Sequence, residues 1–217
     1  MPFYNGTLFQ VDKKEMLRYA GVRPHDEVPQ GVVERVQREA LVLAEPRGIW
    51  QRLPYDAGQF TIDGRLTLEG NSIRKHLSHS EAVAVLAVTV GDEIEKASDA
   101  HFKRGEYFSG LLLDAAATAM TEQLADQVNE VIKREAKKRG EQTTWRFSPG
   151  YGDWPVTQQK EFCQLIQAEK IGIMVTDHSM LFPRKSVSAI LGIGSCDQKP
   201  APVKCRTCAL KTCPFRK

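Results

Sequence analysis

The chain has 217 residues, 41% of them hydrophobic and 26% charged, close to globular averages and long enough for a buried core, which excludes disorder, collagen-like repeats and coiled coil. No stretch approaches the roughly 20 consecutive apolar residues of a membrane span, and the amino-terminal MPFYNGTLFQ has neither a basic flank nor an apolar signal core, so a cytoplasmic protein without a membrane partner is expected. The net charge of +3 is uneven: residues 196–217 hold six basic side chains against one acid and four of the five cysteines, whereas residues 1–195 carry 24 basic and 26 acidic side chains. Two units are therefore expected, a main domain over 1–195 and a cysteine-rich tail over 196–217.

In chain order, residues 12–21 read as a short helix, with Asp12 and Glu15 at capping-box spacing and Gly21 as a left-handed stop. A second helix runs from Gly31 to Glu45 on the spacing of Val32, Val33, Val36, Ala40 and Leu43, and Pro46 closes it. Between Ile49 and Leu68 the pattern alternates around Asp63-Gly64, a hairpin signal. The run AVAVLAVTV, Ala82 to Val90, predicts a buried central strand. The longest periodic segment predicts a helix over 107–138, with Phe108, Leu111, Leu112, Ala115, Ala119, Leu124, Val128 and Val131 facing one way and a basic end before Gly140. After a loop come a helix over 157–170 that buries Phe162, Leu165 and Ile166, a strand of about four residues near Ile171, and an alternating strand over 186–194.

The tail reads Cys196-x8-Cys205-x2-Cys208-x4-Cys213. Two thiolates two residues apart can grip one ion from a tight turn, and two more complete a tetrahedral shell. Structural zinc and an iron-sulfur cluster carry equal weight; disulfides are disfavoured in a reducing compartment. Nucleic-acid binding by a basic zinc ribbon is a weaker reading, because the only aromatic in the tail is Phe215. Cys163, mid-helix beside Phe162, reads as a buried apolar residue. His76 and His79, three apart, could share a helix face, and a solvated surface pair outweighs a metal site.

The loop from Trp145 to Pro155 crowds aromatics with two prolines and two glycines. Arg146 could grip a ligand carboxylate bidentately there, yet from residue types alone a tight surface turn with Arg146 paired to a local acid is the weightier alternative. The stretches RFSPGYGDWPVTQQKEFCQLI and EKIGIMVTDHSMLFPRKSVSAILGIG resemble the activation domain of cobalamin-dependent methionine synthase. The family's Arg-x-x-Pro-Gly-Tyr motif has counterparts in Arg146, Pro149, Gly150 and Tyr151. Its later segment is matched by Met180, Pro183, Ser186, Val187 and Ser188, with one extra residue between methionine and proline. LLDAAATAMTEQLADQV resembles the preceding helix, with Glu122 at its acidic position, and the match is clearest over 111–194.

The resemblance implies an α+β fold, a C-shaped domain whose curved, mostly antiparallel sheet is flanked by helices. It further implies S-adenosylmethionine bound by Arg146 at its carboxylate, by backbone near Ser148, and by Tyr151 and Glu122 close by. His178, before the Met180 segment, could approach the cobalt. The strand carries Ile190 and Leu191 where the family has a tyrosine, and the acid that the family supplies from its amino-terminal part has no counterpart in the motif. By this resemblance the chain is a stand-alone activation subunit. Its partner is methionine synthase or another corrinoid protein holding the cobalamin, and its electrons come from a flavodoxin- or ferredoxin-like donor. The competing expectations are a non-catalytic corrinoid-docking module with a zinc tail and, more weakly, a zinc-ribbon RNA binder.

Overall fold

The computed structural model describes residues 3–23 and 25–195; the tail with Cys196, Cys205, Cys208 and Cys213 lies outside the described residues. In order, the elements are β1 (Phe3–Tyr4), α1 (Lys13–Tyr19), α2 (Gln30–Leu43), β2 (Arg47–Asp56), β3 (Thr61–Ile62), β4 (Leu66–Thr67), α3 (Asn71–His76), β5 (Ala82–Thr89), α4 (Glu93–Lys103), α5 (Tyr107–Lys138), β6 (Glu141–Thr143), α6 (Gln159–Ile166), β7 (Met174–Val175), β8 (Leu181–Phe182) and β9 (Ser186–Ser195).

β5 has no charged side chain and all eight of its residues are buried. A strand apolar on both faces can only be central, and β5 pairs antiparallel with β2 on one side and β9 on the other, eight residues each. The full order is β4-β3-β2-β5-β9-β6, with β1 added on β2, and every pairing is antiparallel. This is the antiparallel α+β architecture expected. The two faces of β5 feed two cores. Ala84, Leu86 and Val88 meet α5 and its neighbours through Leu112, Met120, Leu124 and Val128; Val83, Val85 and Ala87 meet Ile73, Trp154, Phe162 and Ile166. Each fully buried Val, Leu or Ile contributes about 1.5–3 kcal/mol of transfer free energy, so these two layers hold the helices against the sheet.

Local signals account for the ends of elements. Asp12 accepts the Glu15 N–H at 3.0 Å to cap α1. In the β3–β4 turn both Asp63 (φ 54°) and Gly64 (φ 62°) are left-handed, the geometry that matches the twist of a hairpin. The 107–138 helix is α5, with the predicted limits, but its buried face is rotated from the one expected. Phe108 and Leu111 are exposed and Val131 is half-buried, while Leu113, Ala116, Ala117 and Ile132 are buried instead. The run of alanines lets the helix bury more than one stripe, so apolar periodicity alone did not fix the face.

Three further expectations are corrected. The 157–170 helix is broken: α6 is preceded by a 3₁₀ turn at Val156–Gln158 and followed by a left-handed Gln167 and a second 3₁₀ turn at Ala168–Ile171. The strand near Ile171 is displaced, because that residue ends the 3₁₀ turn and β7 has only two residues, paired with β8. His76 and His79 do not form a solvated pair. His76 ends α3 half-buried against Trp145 and Phe147, with ring centroids at 4.4 and 5.0 Å, and only His79 is exposed. Helices α3 and α4 were not expected from the sequence, although α4 has acids Glu93 and Glu95 in its first turn and His101 and Lys103 in its last. The buried face of α4 is Ile94, Glu95, Ser98 and His101, mostly polar. Among the described residues no helix is long and apolar enough to cross a membrane.

Candidate functional site

The aromatic loop between β6 and α6 is anchored from three directions. Phe147 makes a two-way backbone bridge to Ile190 of β9, at 2.9 and 2.8 Å. Trp154 is 1% exposed, meets Phe162 edge-on at 5.6 Å and donates its indole N–H to Gln158 at 2.8 Å; Gln158 in turn donates to the Thr67 carbonyl at 2.8 Å. Asp153 accepts the backbone N–H groups of Asn71 and Ser72 at 2.8 and 2.7 Å, closing the N-terminus of α3, and these bonds hold its carboxyl below the usual range. The close approach requires Gly70, at φ +97°, where an added Cβ would lie 2.5 Å from the Asp153 carbonyl oxygen. His76 accepts this packing only as a neutral ring. Burial, against a hydrogen bond to the Trp145 carbonyl at 2.9 Å, lowers its pKa to about 4. The loop is therefore a fixed platform rather than a free connector.

On this platform the four residues expected at a ligand site come together. Glu122 from α5 and Arg146, Ser148 and Tyr151 from the loop all line one cavity of about 330 Å³, a volume typical of small-molecule sites. Pro149, Val156, Met180, Leu181, Val187 and Ala189 make much of the remaining wall, and Gln159, Ser188 and Arg184 add polar groups. Tyr151 continues the aromatic packing onto Phe147 at 5.8 Å and is partly exposed at the cavity.

Arg146 is paired, as a plain surface turn would have it, but it is not at the surface. Its side chain is 14% exposed, and Nη2 donates to Glu122 at 3.1 Å and Asp126 at 2.6 Å. The other terminal nitrogen, Nη1, is buried with no hydrogen-bond partner among the described residues. Leaving such a donor unsatisfied costs about 1–3 kcal/mol. Asp126 was missed in the sequence, although its place four residues after Glu122 puts it on the same helix face. Tyr19 of α1 also approaches: burial first, and then the charge of Glu122, raise its pKa. The amino-terminal part thus brings a phenol near Glu122.

The opposite wall is held by α4. Glu95, 8% exposed, accepts Arg184 Nε at 2.8 Å and the Lys185 backbone N–H at 2.8 Å, while Lys185 pairs with Asp114 of α5 at 2.8 Å. These contacts fix the chain just before β9, where the Ser-Val-Ser segment begins. Gln159 and Ser188, 5% and 3% exposed, had no role assigned by residue pattern beyond the motif match at Ser188. Ile190 and Leu191, expected where the family has a tyrosine, are both fully buried, one in each core, and neither lines the cavity. His178 is exposed in the β7–β8 turn; its neighbours Ser179 and Met180 line the cavity and it does not. Cys163 is buried, with its thiol pushed up to about 11 by burial, as its apolar neighbourhood suggested. Among the described residues no group of three or more His, Cys, Asp or Glu is arranged to hold a metal.

No curated protein matches the sequence. Among solved structures, one described as "Crystal Structure of the MetH Reactivation Domain bound to AdoHcy" superposes with a TM-score of 0.57 at 17% identity, covering 93% of this chain and 81% of that one; the likeness is one of fold. The family model for "Vitamin B12 dependent methionine synthase, activation domain" matches residues 70–196, more than half of the chain and all of the cavity-lining residues named above. The chain belongs to the activation-domain family of vitamin B12-dependent methionine synthases.

Proposed function

We propose that this chain binds S-adenosylmethionine in the cavity beside Arg146 and serves the reductive reactivation of a cobalamin-dependent methionine synthase, or a related corrinoid methyltransferase, as a separate activation subunit. The observation that carries the reading is the buried, unpartnered Arg146 Nη1 at a cavity that also gathers Glu122, Ser148 and Tyr151. A ligand carboxylate would satisfy Nη1 by a charge-assisted hydrogen bond, and Glu122 is the anion available to its ammonium. Ser148 and Tyr151 supply backbone and ring contacts along the ligand. The related structure holds S-adenosylhomocysteine, a thioether of the same shape. The partner's corrinoid would supply the cobalt that takes the sulfonium methyl and a flavodoxin- or ferredoxin-like donor the electron that reduces it, with S-adenosylhomocysteine left on this chain. This chain's residues orient the donor and shield it from water on the platform side.

We assign the tail cysteines, Cys196, Cys205, Cys208 and Cys213, to one metal site, zinc or an iron-sulfur cluster; a cluster would place an electron relay on the activating chain itself.

The test is calorimetric titration of S-adenosylhomocysteine into wild-type protein and Arg146→Ala. Removing a charge-assisted bond worth about 1.5–3 kcal/mol predicts binding roughly 10- to 100-fold weaker in the variant. In parallel, anaerobic mixtures with inactive methionine synthase, reductant and S-adenosylmethionine should recover methionine synthesis only with the wild type. Equal titration curves for the two proteins would remove the carboxylate role of Arg146.

A further inference from the structure

The corner between α4 and α5 carries an apolar surface that neither core uses. Phe102, Tyr107, Phe108 and Leu111 are all exposed, Tyr107 at 68%, and none of them joins either buried cluster. The surface is held in place from beneath. Ser98 Oγ donates to the Gly110 carbonyl at 2.8 Å, and Phe102 lies so close to Gly110 that an added Cβ would stand 3.0 Å from its ring. His101 bridges Glu106 and Glu39 across the turn, and the Phe102 and Tyr107 rings sit 6.4 Å apart. Aromatic side chains fixed in this way lose little entropy when a partner covers them.

Two helical rows lead from this corner to the cavity. On α5, Glu122 lines the cavity, while Thr118 and Asp114 meet Lys185 Nζ at 2.9 and 2.8 Å, next to Arg184 of the cavity wall. Positions 122, 118, 114, 111 and 107 are spaced by three or four, so Leu111 and Tyr107 continue the same face. On α4, Glu95 holds Arg184 at 2.8 Å, Asp99 is within electrostatic reach of it, and Phe102 follows at the same spacing. The corner and the cavity mouth therefore lie on one side of the protein. Along α5, Leu111 is roughly 16 Å and Tyr107 roughly 22 Å from Glu122 at the helical rise. An interface of about 800 Å² per partner is roughly 30 Å across, so a single partner can cover both.

We infer that Phe102, Tyr107 and Leu111 form the anchor by which this chain holds its corrinoid-carrying partner, an apolar contact beside the mouth through which the methyl group leaves. The inference rests on the separate-subunit reading. A domain tethered to its partner meets it at about millimolar effective concentration, whereas a chain acting from solution must supply the affinity from its own surface. Aromatic residues near the centre of an interface carry much of that energy. The occupant is the partner and not a second copy of this chain, because a copy seated across this side would stand over the cavity and shut the partner out.

Binding to an immobilised methionine synthase that naturally lacks an activation domain and carries cob(II)alamin tests this without turnover. The double variant Tyr107→Ala, Leu111→Ser should bind it at least about tenfold more weakly than wild type, with an unchanged calorimetric titration of S-adenosylhomocysteine. Val42→Ser, on α2 and 83% exposed, should leave both readings as in wild type. Equal partner binding by the double variant and wild type overturns the anchor and leaves the proposed function standing. A loss in Val42→Ser as large as in the double variant overturns it too, since apolar surface of any kind would then serve. If wild type does not bind the partner at all, the anchor and the separate-subunit reading fall together. If partner binding depends on Tyr107 and Leu111 while S-adenosylhomocysteine does not bind, the anchor stands and the ligand reading falls. A wild-type dimer in sedimentation that the double variant abolishes would assign the surface to a second copy and overturn the partner assignment.

Discussion

His76 should make the stability of this protein depend on pH between neutrality and about pH 4. Its ring is held neutral by burial against Trp145 and Phe147, with a folded-state pKa of about 4 against 6.5 when free. Because the folded pKa is depressed, the unfolded chain binds the proton first as pH falls, and each protonation favours unfolding. The contribution is fully present above about pH 6.5, declines below it and is lost by about pH 4. From these two values the loss between pH 7.5 and pH 5.0 is about 2 kcal/mol, rising to about 3 kcal/mol at the lower end. The window above pH 5 lies clear of most carboxylates. Urea denaturation of wild type and His76→Gln at both pH values measures it: glutamine retains an N–H for the Trp145 carbonyl, so the variant should lose about 2 kcal/mol of pH dependence relative to wild type. The same pH dependence in both proteins would refute the buried neutral histidine. The consequence reaches function, since His76 packs directly beneath the residues that flank Arg146.

Gly70→Ala should destabilise by about 2–3 kcal/mol, because it combines a left-handed backbone with a Cβ pressed onto the Asp153 carbonyl oxygen; chemical denaturation reads this, and a loss below about 0.5 kcal/mol would contradict the geometry. Cys163, buried and with its thiol raised to about 11, should resist iodoacetamide in the native protein at pH 8 and react fully in denaturant, as peptide mass spectrometry will show. For the tail, anaerobic purification followed by metal analysis and visible spectroscopy separates the two metals. Zinc without iron or visible charge-transfer absorption would end the electron-relay idea, and Ser at Cys205 and Cys208 should release whichever metal is present.

What was legible in the sequence was whatever depended on neighbours along the chain. The unbroken apolar run of β5 stated that it must be central, the Asp12 cap and the Asp63-Gly64 turn stated where elements start and reverse, and the family resemblance pointed to Arg146, Ser148, Tyr151 and Glu122, which the fold brings to one cavity. What tertiary structure decided was what those residues meet. Asp126 and Glu95 are ordinary surface acids in the sequence; folding puts one on Arg146 and buries the other beneath Arg184 and Lys185. His76 carries no sign of burial until Trp145 and Phe147, some seventy positions away, close over it. The face of α5 was misread because alanine is compatible with either side of a helix, and α4, whose buried face is mostly polar, was marked by the acids of its first turn and the basic residues of its last. Local propensity and periodicity encode an element's existence, whereas the partner of a charge is set by contacts between distant segments, which no local pattern records.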